Sequence, residues 1–436
     1  MLCIIYMREK RRIILIKVFV KRIMLGLLVV AAVVMTAVLF EYKDKLYTEI
    51  SQTLSADSAD EITEEIGIQE DPEAYIIDEN DLISDEQEAV LQQYAYRYAQ
   101  TLAFLEIQDI SDLYSDKESE AYYLNKIALD VIVTVRKMAS KDMTLEECTV
   151  TYNVADAYSY GGKTYISILE DNTQKFRFLD VLTQNFIIQH EFVLEQQDNN
   201  WYIKSHAHEE DFYLLAEEAW EQFRGTAEEK AAKVMDAIIA DTEENIVWAK
   251  ENYLNKTEEK TAAYTNYDRE AAVEYAKEWV GERNYTGVYL AYDPFGGNCQ
   301  NFASQCLHAG GLAMDYNGYN QWKFYSKTLN GYATPSGRSY SWTGVEPFFD
   351  YCYHNTSGGI VAHTDWGVAF TQKGDVIQVG AMGQWRHSVF VIDVIYDENG
   401  YAEEIILASN TADRINYPLS AYIYTAPRLI HIVGQN

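Results

Sequence analysis

Cysteine is scarce in this chain. Its 436 residues include five, Cys3, Cys148, Cys299, Cys306 and Cys352, with no CxxC pair and no paired spacing. A disulfide framework and a cysteine-built zinc site therefore have no sequence basis. HExxH is missing too, which removes the usual signature of a zinc protease. No metal or cofactor is expected. Positive charge is in deficit, with 35 Lys and Arg against 67 Asp and Glu and a formal net charge of −32. Nucleic acid is disfavoured as a partner, because phosphate binding needs clustered cations.

Material for folding is ample. Hydrophobic residues make up 48% of the chain and aromatics 14%, and the 35 tyrosines suit packed cores before sugar-stacking surfaces. The length exceeds what one core usually serves, so two or three domains are expected.

Many of the basic residues cluster near the start. Arg8, Lys10, Arg11, Arg12, Lys17, Lys21 and Arg22 form a segment 1–22, followed by an uncharged run, 23–40, and then Glu41 and Asp44. This pattern predicts a transmembrane helix whose basic flank stays cytoplasmic. A cleaved signal peptide is the alternative. No A-x-A site or lipid-attachment cysteine follows, which favours an uncleaved anchor. The expected localisation is the cell membrane, single-pass with the rest of the chain extracytoplasmic, or secreted if the segment is cut. Residues 41–85 are acidic and lack apolar periodicity, so they read as a tether.

Residues 86–210 open with helical apolar spacing, in "EAVLQQYAYRYAQTLAFL" and "EAYYLNKIALDVIVTVRKMA". Alternating segments follow: Val150, Tyr152 and Val154 share a face, and "NFIIQHEFVLEQQDNNWYIKSHAHEE" reads as two strands joined at Asp198-Asn199-Asn200. The expected product is helices plus a curved antiparallel sheet, with His206 and His208 as surface residues on a strand end. Residues 211–264 carry Glu and Lys at i,i+4 spacing and read as a helical connector. Residues 265–436 start with a helix that Asp268 can cap, with Ala272, Tyr275, Ala276 and Trp279 inward and Gly281 at its end.

The chemistry concentrates in this last region. In "GGNCQNFASQCLHAGG", Gly296 and Gly297 permit a tight turn, Asn298 suits an N-cap, and Cys299 falls in the first helical turn. There the helix dipole and unpaired N–H groups favour a thiolate and can hold an oxyanion. A buried helix cysteine is the bland reading, and it is the one that fits Cys306. Further on, "KGDVIQVGAMGQWRHSVFVIDVIYDENG" reads as two strands, with His387 opening the second as a rigidly held base. The strand "EEIILASN" ends at Asn410, whose amide oxygen could orient the imidazole. Trp385 is a candidate cleft wall and Asn298 a candidate substrate contact. His363 and Asp365 lack a third metal ligand nearby in the sequence.

These residues carry resemblances. The helix-borne cysteine, the "GD" strand and the strand-borne histidine resemble the papain-like NlpC-type peptidases. More closely, "YDREAAVEYAKEWV", "GGNCQNFASQCLHAGG", "SYSWTGVEPFF", "KGDVIQV", "HSVFVI" and "NTADRINYPLS" resemble, in order, an amidase domain of exported bacterial proteins. The layout of 86–210 resembles the cone-shaped nuclear-transport-factor-like domains. The amidase likeness implies Cys299 as nucleophile, His387 as base and Asn410 as third polar residue. Asn298 stands where that family usually has Asp, and Asn410 where it often has His. The expected fold class is α+β: an N-terminal transmembrane helix, a helix-plus-curved-sheet middle domain, a helical connector, and a papain-like α+β C-terminal domain. The expected function is an extracytoplasmic cysteine hydrolase of amide bonds in peptidoglycan or other peptides. The alternatives are a non-catalytic cell-wall-binding scaffold and an acyl-transfer enzyme using the same residues.

Overall fold

The computed structural model describes residues 71–284, 289–295, 297–317, 320–324, 338–355, 358–381 and 384–436. A short strand, β1 (Glu73–Ile77), precedes helices α1 (Asp85–Phe104) and α2 (Glu120–Lys137). Both helices begin where capping chemistry allows. Ser84 accepts from the Gln87 N–H while the Gln87 side chain takes the Ser84 N–H, and Ser119 accepts from Tyr122. Leu91, Tyr94, Ala95, Tyr98 and Leu102 form the buried stripe of α1.

Four strands follow: β2 (Leu145–Tyr160), β3 (Lys163–Phe176), β4 (Thr183–Gln197) and β5 (Asn200–His208). Val150, Tyr152 and Val154 all face the core. Asp198 and Asn199 both take positive φ, 50° and 65°, and close the predicted turn between β4 and β5. Next come α3 (Asp211–Trp220) and α4 (Ala227–Asn252). These helices are more than a charged connector. Phe212, Tyr213, Ala216 and Trp220 of α3 and Val234 and Ile238 of α4 are buried, and both helices pack on α2.

The C-terminal part contains α5 (Arg269–Trp279), α6 (Cys299–Ala309), α7 (Tyr340–Thr343), α8 (Val345–His354) and β6 (Ile360–His363). After these come β7 (Val376–Ala381), β8 (Gln384–Tyr396), β9 (Ala402–Ser409), β10 (Asp413–Pro418) and β11 (Ala426–Gln435). Asp268 accepts from the Ala271 N–H at 3.0 Å, as predicted for its cap. Every residue from Cys299 to Leu307 is buried, so α6 is enclosed on all sides. Its polar side chains are satisfied from neighbouring elements: Trp342 Nε1 donates to Asn301, Trp322 Nε1 to Ser304 and Tyr275 OH to Gln305.

One 11-stranded sheet runs through both halves, in the order β1-β2-β3-β4-β10-β9-β8-β7-β11-β6, with β5 also on β4. β4 forks. Its 190–197 end pairs with β5, while Gln184 to Phe186 pair with β10. Thr183 and Asn416 reinforce that seam, Thr183 Oγ1 donating to the Asn416 carbonyl at 2.7 Å.

Three expectations need correction. Among the described residues no helix is long and apolar enough to cross a membrane. The described residues are therefore α+β with no transmembrane helix among them; the 1–22 and 23–40 segments and most of the 41–85 tether lie outside the described residues. The sheet is mixed, because β1, drawn from the end of the expected tether, runs parallel to β2. Lastly, His206 and His208 are buried rather than exposed. They stack with His190 under α1, with His190 Nδ1 2.9 Å from His206 Nε2. Single-strand patterning cannot reveal a second layer of cover over a strand end.

Burial holds both His206 and His208 well below the ordinary histidine value. The unfolded chain would take up protons below about pH 6.5 that the folded chain refuses, so their stabilising effect falls with falling pH. Relative to His208→Gln, the native protein should lose about 1 kcal/mol of stability between pH 6.5 and 5.5, read by denaturant melts at each pH. Parallel curves for the two proteins would remove His208 from the acid response.

Candidate active site

The tip of α6 is where three elements meet. Asn298 stands at the N-cap position but makes no side-chain cap bond. Its side chain instead gathers the surroundings: Oδ1 accepts from the Tyr292 N–H at 3.0 Å and from Asn301 Nδ2 at 2.8 Å, and Nδ2 donates to Asn410 Oδ1 at 3.0 Å. The Asn298 N–H donates to Thr411 Oγ1 at 2.6 Å. Asn298 is 2% exposed, so these bonds satisfy a buried amide completely enough to fix the helix against the end of β9. At 2% exposed, Asn298 presents little surface for the substrate contact expected of it.

Cys299 follows as the first helical residue and is 8% exposed. Burial raises its thiol, while N–H groups of Ser388, Gln300 and Cys299 itself pull the other way. Cys306, seven residues deeper, has no such group from another element, and burial pushes it well above the ordinary value. The two thiols thus differ in the backbone N–H groups that reach them. The Ser388 N–H brings the Cys299 sulfur to β8 at the residue after His387. Ser388 anchors the same junction from its side chain, donating to Gln300 Oε1 at 2.7 Å.

His387 lies three residues into β8 rather than opening it. The ring is half-buried, and its Nε2 is buried without a hydrogen-bond partner. Burial lowers His387 to about 4, the Asp211 carboxylate working against this and the Arg414 guanidinium adding to it. Thiol and imidazole are thus both neutral at rest, and no hydrogen bond joins Cys299 to His387 Nε2.

Asn410 does not orient His387 through a hydrogen bond. Its Oδ1 is taken by Asn298, and its Nδ2 lies 3.4 Å from the Trp279 carbonyl, so the amide fastens α6 and α5 to β9. The groups that do surround the imidazole come from elsewhere. Asp211 opens α3, Arg414 Nη1 donates to Asp211 Oδ2 at 2.7 Å and to Tyr422 OH at 3.0 Å, and the Tyr422 ring centre is 6.4 Å from that of His387. Tyr424 OH also donates to Asp211. Burial works to raise the Asp211 carboxyl, but Arg414 and these hydrogen bonds hold it below the usual carboxylate range. α3 also touches β8 directly, through Arg386 and Glu218 at 2.7 Å. Nothing in the sequence near His387 signals Asp211, which lies far upstream.

Trp385 is half-buried and packed. The Arg428 guanidinium centre lies 4.2 Å from its ring centre and 3.6 Å from that of Phe349, and Trp385 Nε1 donates to the Ala426 carbonyl at 3.1 Å. His363, the sequence candidate for metal binding, stacks on Trp366 at 3.7 Å, and among the described residues no group of three or more His, Cys, Asp or Glu could hold a metal ion.

Two outcomes follow. Because thiol and imidazole are both neutral at rest, iodoacetamide labelling of Cys299 should climb through pH 8 to 10 without an acidic plateau, followed by peptide mass analysis. Asn410→Ala strips the buried Asn298 amide of a partner and should cost about 1–3 kcal/mol in denaturant melts.

Residues 266–433 match the family described as "Putative amidase domain". The chain is also 29% identical over 213 residues to "Uncharacterized protein YhbB" of Bacillus subtilis (strain 168), an alignment covering 48% of this chain and 60% of that protein. The chain thus spans less than two thirds of that relative's length. No solved structure matches. The matched region begins at α5 and runs into β11, which leaves Asp211 and α3 outside it. The C-terminal part of this chain is thereby an amidase-type domain, pointing to hydrolase chemistry.

Proposed function

We propose that the protein is a cysteine hydrolase of the papain-like, NlpC type, acting on amide bonds in peptidoglycan stem peptides. The observation that supports this reading is the Cys299 sulfur at the tip of α6, set against the Ser388 N–H of β8, one residue along the strand from His387. As Sγ attacks the carbonyl carbon, the thiol proton passes to His387. The imidazolium returns it to the departing amine as the C–N bond breaks. Water, deprotonated by the same imidazole, then cleaves the thioester and releases the acid and the free thiol. The Cys299 N–H assists the oxyanion. Asp211 favours the imidazolium form by its charge, a positioning role in place of the one expected for Asn410. The cell-wall substrate rests on the basic segment and uncharged run of 1–40, which support export.

The burial of Cys299 favours a second reading, a domain that grips the wall without cleaving it. Purified cell-wall fragments, incubated with wild type, Cys299→Ala and His387→Gln, separate the two. Both variants should lose at least about a thousandfold in product formation. Equal product from Cys299→Ala ends the proposal, and binding without cleavage by all three proteins supports the second reading. Asp211→Asn should lower the rate by about tenfold and shift the acidic limb of the pH–rate profile downward, since the charge that raises His387 is gone.

A further inference from the structure

A cavity of about 340 Å³ lies at the other end of the C-terminal strands. Its walls include Lys256, His363, Trp366, Phe370, Tyr396 and His431. Tyr396 and His387 are nine residues apart on β8, roughly 30 Å at ~3.3 Å per residue, so this cavity is separate from the candidate active site.

Two polar groups of the cavity wall have no hydrogen-bond partner among the described residues. His363 is 1% exposed, and its Nε2 accepts from the Lys260 N–H at 3.2 Å. In the neutral ring the proton must then sit on Nδ1, and that buried donor has no partner. Trp366 stacks on His363 with ring centres 3.7 Å apart, and its Nε1–H is likewise buried without a partner. Two neighbouring indole and imidazole donors without acceptors are unusual in a folded interior, where such groups are nearly always paired. Lys256 places its ammonium 4.5 Å from the Trp366 ring centre and 5.0 Å from that of Phe370.

The remaining charges at the cavity are already balanced. Glu259 pairs with Lys256 at 3.2 Å from an exposed position on the rim. His431 Nδ1 lies 2.7 Å from Asp375, which also accepts from Arg269 at 2.8 Å. Lys260 Nζ donates to the Ala362 carbonyl. What the site lacks is an acceptor.

We propose that this cavity binds a small organic carboxylate. Its oxygens accept from His363 Nδ1–H and Trp366 Nε1–H, its charge faces Lys256 as Glu259 gives way, and its apolar body rests on Phe370 and Tyr396. Charge-assisted bonds of this kind are the stronger class, and the flat aromatic wall suits a guest of amino-acid size. The inference does not depend on the hydrolase reading.

The test follows the Trp366 indole N–H resonance, assigned with Trp366→Phe, while acetate, N-acetylalanine or N-acetylalanine amide is added to the full chain. The two acids should shift it saturably and the amide should not. Cys299→Ala should respond like wild type, while His363→Phe and the surface variant Lys256→Met should each weaken acid binding by about tenfold. Absence of saturation with either acid overturns the proposal, as does an equal shift with the neutral amide.

Discussion

Asn298 is the constraint on which the C-terminal half depends. A helix buried on every side has no solvent to satisfy its first turn, so its entry must be held by the protein itself. One amide does this by binding the Tyr292 backbone, Asn301 and Asn410 at once, while its own N–H reaches Thr411. The position of Cys299 follows, because the residue after a fixed N-cap cannot wander. Asn298 and Asn410 meet as donor and acceptor across the junction of α6 and the end of β9.

The second constraint is the seam between β4 and β10. Joining the two halves through one sheet carries α3 to the rim of β8, where Arg414 ties Asp211 to the ring cluster of Tyr422 and Tyr424. A carboxylate from outside the amidase-type region thereby reaches the electrostatic neighbourhood of His387. The N-terminal half consequently shapes the electrostatics around His387.

Local patterns were legible where one physical rule dominates. Asp268 marks a helix start, and Asp198-Asn199 marks a two-residue turn. The position of Cys299 at a helix tip was legible for the same reason. Asn410 was legible as the end of a strand but its bonds to Asn298 and Trp279 were not, because strand order says which elements are near but not which atoms bond. The burial of His206 and His208 escaped notice because the cover over β4 and β5 comes from a helix far earlier in the chain.

The sequence by itself determined the elements, the turn and cap chemistry, and the setting of a cysteine at the start of a glycine-led helix, since these depend on residues within a few positions of each other. Tertiary structure alone decided that β1 joins the sheet in parallel, that one sheet spans both halves, and that Arg414 holds Asp211 while Asn410 bonds Asn298. Those outcomes depend on contacts between residues as far apart as 211 and 414, where packing and charge complementarity act through space and leave no periodic trace along the chain.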